Sequence, residues 1–215
     1  MTISIIGWGS LIWRPETLQI SSRWRRDGPS LPIEFARISK DGRLTLVIYE
    51  ESAEVQTYWA SSGYNTLDAA IENLQERECT EKGWIHCLLS NCKVYEEDGI
   101  LRSVPNRIRG KITTWLARKP ELDAAVWTGL PSNWQKKRHK PFSVDDAVLY
   151  TEKLETAIEL GTTEDERGKA EIVLNSAREY VRNTPAQVQT AVRKRLSAQR
   201  SWADAALSPV LFDPE

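Results

Sequence analysis

Residues 3–15, ISIIGWGSLIWRP, are the stretch from which the fold class follows. Ile3, Ile5 and Ile6 form a short β-branched run suited to a strand, which stops at Gly7 and Gly9 before Pro15 closes the segment. A strand ending in two glycines brings its backbone N–H groups close to whatever lies above it. We therefore expect an N-terminal strand feeding a tight loop, Gly7-Trp8-Gly9-Ser10-Leu11, whose amides can cradle a carboxylate or a developing oxyanion. A Gly-x-Gly-Ser sequence after a strand is also an ordinary turn, so this loop alone does not decide function.

Residues 67–78, LDAAIENLQERE, have the composition of a helix throughout. Leu67, Ile71 and Leu74 step by four and three and make one apolar stripe, and a further step of four reaches Glu78. Glu76 projects to the opposite, solvent side. A carboxylate on the core-facing side is costly unless it is paired or used, and burial raises its pKa toward that of a useful general base. The alternative is that the helix ends near Cys79 and Glu78 frays into water.

Other strand-like runs are Ile33–Ile38, Arg43–Tyr49, Val55–Ala60, Trp84–Leu89, Lys111–Leu116 and Ala124–Trp127, with Asp41-Gly42 signalling a hairpin between the first two. A helix inserted in a series of strands reads as an α+β domain, expected over residues 1–140. After Pro141 the texture becomes helical, with helices expected at Val144–Leu160, Thr163–Val181 and Pro185–Leu207, the last capped by Thr184 with Pro185 in its first turn. Residues 141–215 are thus expected as a C-terminal helical extension packed on the first domain. It offers a cover for the domain, a homodimer contact or a closure for the pocket, and the sequence leaves these open.

The two motifs together resemble the gamma-glutamylcyclotransferase superfamily, most closely its ChaC-like, glutathione-degrading branch. There a strand ends in Tyr-Gly-Ser-Leu, commonly followed by Ile-Trp; here the corresponding residues are Trp8-Gly9-Ser10-Leu11-Ile12-Trp13. The family's catalytic helix closes in Leu-x-x-Arg-Glu before a glycine and an aromatic residue; here Leu74-Gln75-Glu76-Arg77-Glu78 precede Gly83-Trp84. A looser likeness runs through Ala124-Ala125-Val126-Trp127-Thr128-Gly129. The resemblance implies a mixed β-barrel with a packed catalytic helix, Glu78 as the acid/base, and Gly7, Trp8, Gly9, Ser10 and Leu11 as the substrate loop. Two departures bear on substrate choice. Trp8 stands where the family has tyrosine, and Val55-Gln56-Thr57-Tyr58-Trp59 lacks the glycine that the ChaC branch carries in that strand.

The implied reaction cyclises the gamma-glutamyl group of glutathione, a gamma-glutamyl amino acid or a gamma-glutamylamine to 5-oxoproline, releasing the amine. It needs no metal and no organic cofactor. Cys79, Cys87 and Cys92 are an odd number gathered in one region, which argues against a disulfide framework, and with His86 they lack Cys-x-x-Cys spacing for zinc. The basic clusters at Arg23–Arg26 and Lys136–Lys140 are read as solvated loops. With 29 basic and 30 acidic residues the net charge is -1, unlike a nucleic-acid-binding domain. With 40% hydrophobic residues, no apolar run approaching 18 residues and no leader-like segment, the expectation is a cytoplasmic protein without a membrane partner. Two other readings stay open: a non-catalytic binding member of the same fold, and an interaction protein acting through Ala191–Ala206.

Overall fold

In a computed structural model the described residues are 1–90, 104–161 and 163–202. Among the described residues the chain divides into two compact units: 1–31 with 54–130, and 32–53 with 131–202. The helices after Pro141 thus share a unit with residues 32–53 instead of forming an appendage to a block ending at 140.

The first unit is built on a four-stranded sheet. Its strands are β1 (Ile3–Gly7), β5 (Tyr58–Ser61), β6 (Ile85–Leu89) and β7 (Ala124–Thr128), in the order β5-β1-β7-β6. β1 runs antiparallel to β5, with Ile6 opposite Trp59, and parallel to β7, with Ile5 opposite Val126. β1 and β7 are buried along their whole length, so this sheet is covered on both faces, as parallel strands require. The single strand expected over Val55–Ala60 is broken into β4 (Glu54–Gln56) and β5 at Thr57, whose amide and hydroxyl both turn to the Pro29 carbonyl. The turn Lys82–Trp84 is a 3-10 helix that sets up β6. The strands do not close into a barrel among the described residues.

Helix α1 spans Leu67–Glu78, the range the spacing predicts, and buries Leu67, Ala70, Ile71 and Leu74 against β6 and β7. It stops because Cys79 takes a left-handed conformation (φ 46°) with its amide on the Glu76 carbonyl. Helix α2, Asn106–Leu116, replaces the strand expected at Lys111–Leu116. The β-branched run Ile112-Thr113-Thr114 favours a strand locally, but Ile108, Ile112, Trp115 and Leu116 fall on one helical face and are buried. Thr114 adapts by returning its hydroxyl to the Gly110 carbonyl at 2.9 Å.

In the second unit, β2 (Ser30–Ile38) and β3 (Leu44–Ile48) form the expected hairpin, with Ile33 opposite Ile48 and Gly42 at φ 89° in the turn. Helices α4 (Val144–Leu160) and α5 (Glu164–Asn183) pack together, and α5 lies on β3. The basic cluster read as a loop forms part of helix α3, Trp134–Arg138, because the buried Trp134 indole bonds Asp146 at 2.8 Å. The last described α-helix is short: α6 covers Ala191–Ser197 and is capped by Thr190, not Thr184. Thr184 ends α5 instead, giving its hydroxyl to the Tyr180 carbonyl at 2.8 Å. Buried Glu34 of β2 accepts the Ala191 and Val192 amides, fixing the start of α6 from outside the segment. The residues expected to continue that helix toward Leu207 lie outside the described ones.

Candidate active site

Strand β1 ends at Gly7, and the chain turns at once: the Ile12 amide bonds the Gly9 carbonyl at 3.0 Å and the Arg14 amide bonds the Ser10 carbonyl at 2.8 Å. Trp8, Gly9 and Leu11 are buried and Ser10 is partly so. The turn therefore faces the interior and not bulk water. Among the described residues no hydrogen bond takes up the amides of Gly9 or Leu11. Gly7 is required by packing: a β-carbon there would lie 2.9 Å from the Trp24 ring. Trp24 belongs to the Arg23–Arg26 cluster expected to be solvated, and its indole is buried against the site strand.

Helix α1 brings its last turn to this loop through Arg77. One guanidinium nitrogen donates to Ser10 Oγ at 3.0 Å and to the Arg14 carbonyl at 2.7 Å, and the other to Glu78 Oε1 at 3.0 Å. The Arg77 side chain is only 8% exposed, so these bonds are made largely out of water. One turn back, buried Asn73 accepts the Gln19 amide at 2.8 Å and donates to the Thr17 carbonyl at 2.9 Å. The polar residues Asn73 and Arg77, four apart on the helix flank, thus hold the segment from Ser10 to Gln19. Reading only the apolar stripe passes over both; their i, i+4 spacing is the signal that finds them.

Glu78 itself is 18% exposed at the side chain, whereas Glu76 faces solvent. It does not fray into water. Desolvation pushes its carboxyl pKa above the ordinary value; the Arg77 cation opposes that push and the neighbouring Glu16 charge adds to it. Glu16 itself sits in the left-handed region at φ 53°. Oε1 is tied to Arg77, and Oε2 has no hydrogen-bond partner among the described residues. The result is an oriented, partly desolvated carboxylate with one oxygen available, beside a loop with two unused amides.

No family model, curated protein or solved structure matches the chain. The geometry of the site therefore stands on its own.

Cys79 is exposed and Cys87 is buried, and Cys92 lies outside the described residues. Among the described residues no His, Cys, Asp and Glu are grouped to hold a metal ion, and no helix is long and apolar enough to cross a membrane. A groove of about 920 Å³ opens elsewhere in the first unit, between Asp27–Ser30 on one side and α2 with Arg118 and Lys119 on the other. Its cations are largely engaged: Arg107 and Lys111 pair with Glu54, and Lys119 pairs with Asp27. It is distinct from the Glu78 site.

Proposed function

We propose that the chain is a gamma-glutamylcyclotransferase-like enzyme acting on a small gamma-glutamyl compound, with Glu78 as acid/base and the Gly7–Leu11 loop as substrate cradle. The observation that carries the proposal is the Arg77 bridge, which places the carboxylate of one motif beside the loop of the other.

Oε2 of Glu78 takes a proton from the substrate's α-ammonium. The freed amine then attacks the gamma-carbonyl of the same molecule, forming the ring C–N bond and an oxyanion, with proximity already built into the five-membered ring. The amides of Gly9 and Leu11 donate to that oxyanion. On collapse the bond to the leaving nitrogen breaks, Glu78 returns its proton to that nitrogen, and the ring nitrogen gives up its second proton to solvent. 5-Oxoproline and a free amine result, and the carboxylate is regenerated. A raised pKa suits the first half of this shuttle, because a carboxyl that holds its proton more tightly is a better base.

The mixed barrel implied by the resemblance belongs to this reading. The parallel pair β1 and β7, with α1 packed against the sheet, is the portion that supports the site. A free, exposed thiol at Cys79 suits a reducing, cytoplasmic setting. The experiment is release of 5-oxoproline from a panel containing glutathione, a gamma-glutamyl amino acid and a gamma-glutamylamine. Turnover of at least one supports the proposal. Binding without turnover points to a non-catalytic member of the fold, and neither binding nor turnover overturns the reading.

A further inference from the structure

Thr128 is the last residue of β7, and its placement follows from strand register. β1 and β7 are parallel with Ile5 opposite Val126, so both strands run out at the same edge of the sheet, Gly7 on one and Thr128 on the other. Carboxyl ends of parallel strands are where open α/β sheets place their ligands. Arg77 and Glu78 reach that edge as well, since Arg77 bonds Ser10, three residues past the end of β1.

The face follows from alternation. The Trp59 ring meets Trp115 of α2 edge-on, so the Trp59 face is the one α2 covers; Ile6, opposite Trp59, shares that face, and Ile5 and Gly7 point to the other. Val126 pairs with Ile5, and Thr128, two residues on, shares its side. Trp127 stacks on His86, and a β-carbon at Gly129 would lie 1.7 Å from the same His86 ring. Trp127 and Gly129 therefore look to one face and Thr128 to the opposite one, the side of Ile5 and Gly7.

Thr128 is 8% exposed, and its hydroxyl has no hydrogen-bond partner among the described residues. A buried hydroxyl left unpaired weakens a fold, and a valine of the same shape would remove the penalty. The position is therefore explained by a partner that arrives with a ligand.

Resting on the gamma-glutamyl reading above, we infer that Thr128 is a substrate-binding residue whose hydroxyl donates to the α-carboxylate of the gamma-glutamyl group. The α-carboxylate and the α-ammonium share one carbon, so a substrate that gives its ammonium to Glu78 presents its carboxylate to the same edge of the sheet. The carboxylate does not react. Its loss of a partner is therefore read in KM, with kcat held.

Thr128→Val and Thr128→Ser test this by thermal unfolding, 5-oxoproline calorimetry and steady-state kinetics of 5-oxoproline release. For Thr128→Val the inference expects a higher melting midpoint, by a few degrees, together with a roughly 10-fold or greater rise in KM and in the 5-oxoproline Kd. Thr128→Ser should restore most of both constants. A valine variant that melts higher yet binds and turns over like the parent overturns the inference while leaving the reaction assignment standing. A lower midpoint in the valine variant overturns it too, because the hydroxyl then already has a partner. A parent protein that neither binds 5-oxoproline nor releases it overturns both.

Discussion

Asn73 and Arg77 stand one turn apart on α1 and hold the two ends of one loop, Asn73 at Thr17 and Gln19, Arg77 at Ser10 and Arg14. The helix that carries Glu78 and the loop that follows β1 therefore move as one body. Local geometry around the carboxylate depends on this flank as much as on the apolar stripe beneath it.

Replacing Asn73 by alanine leaves the Gln19 amide and the Thr17 carbonyl without their partner in a part-buried position. The expected loss of stability is about 1–3 kcal/mol, measured by chemical denaturation, with KM rising because the loop is no longer tethered at that end. Unchanged stability would mean that water replaces the amide at no cost.

Glu78→Gln keeps the shape of the side chain but cannot accept the ammonium proton, so turnover should fall by about 100-fold or more. Glu76→Gln, on the solvent side, should be nearly silent. A stability signature accompanies this. Because the folded pKa of Glu78 is raised above 4.5, its contribution to stability is fully present below that pH and is lost as pH rises through the folded value. Near neutral pH the glutamine variant should therefore melt higher than the parent, with the gap closing below about pH 4.5.

Arg77→Met removes the cation that favours the ionised carboxylate. Glu78 should then hold its proton to higher pH, and the acid limb of the kcat/KM profile should move up. Glu16→Gln removes a like charge and should move the same limb down, by less, since Glu16 is exposed. Limbs that stay in place in both variants would show that Glu78 does not govern the profile.

Asp146 tests the second unit. Desolvation raises its pKa, but hydrogen bonds from Arg138, Lys140 and Trp134 outweigh this and bring it down to about 2 from 3.8. A depressed carboxylate contributes stability above its unfolded value that is lost as pH falls through the folded one. Asp146→Asn should accordingly cost roughly 2 kcal/mol at neutral pH, with the difference fading between about pH 4 and pH 2. Urea melts across that range would show it.

Trp8 is 6% exposed and stands where the resembling family has tyrosine. An indole is larger than a phenol and supplies only a donor, so the site should favour a small gamma-glutamyl amine or amino acid over glutathione, whose Cys-Gly portion is bulky and charged. Trp8→Tyr should raise glutathione turnover relative to the small substrates in a competition assay. An unchanged ratio would assign Trp8 to packing alone.

The sequence by itself determined those features whose cause lies within a few residues. The 4-3 spacing of Leu67, Ile71 and Leu74 sets the buried face of α1, Asp41-Gly42 sets the hairpin, and the run before Gly7 sets β1. Tertiary structure decided what depends on distant partners. Ile112-Thr113-Thr114 became helical because the buried face of α2 includes Ile108, Trp115 and Leu116 around it. Helix α6 begins at Ala191 because Glu34, 157 residues earlier, accepts the amide there. The meeting of Arg77 with Ser10, and the face and unpaired state of the Thr128 hydroxyl, arise only when β1, β7 and α1 share one edge. Periodicity reports which side of an element is apolar; which polar groups face each other across 67 residues is fixed by the packing of that sheet and helix.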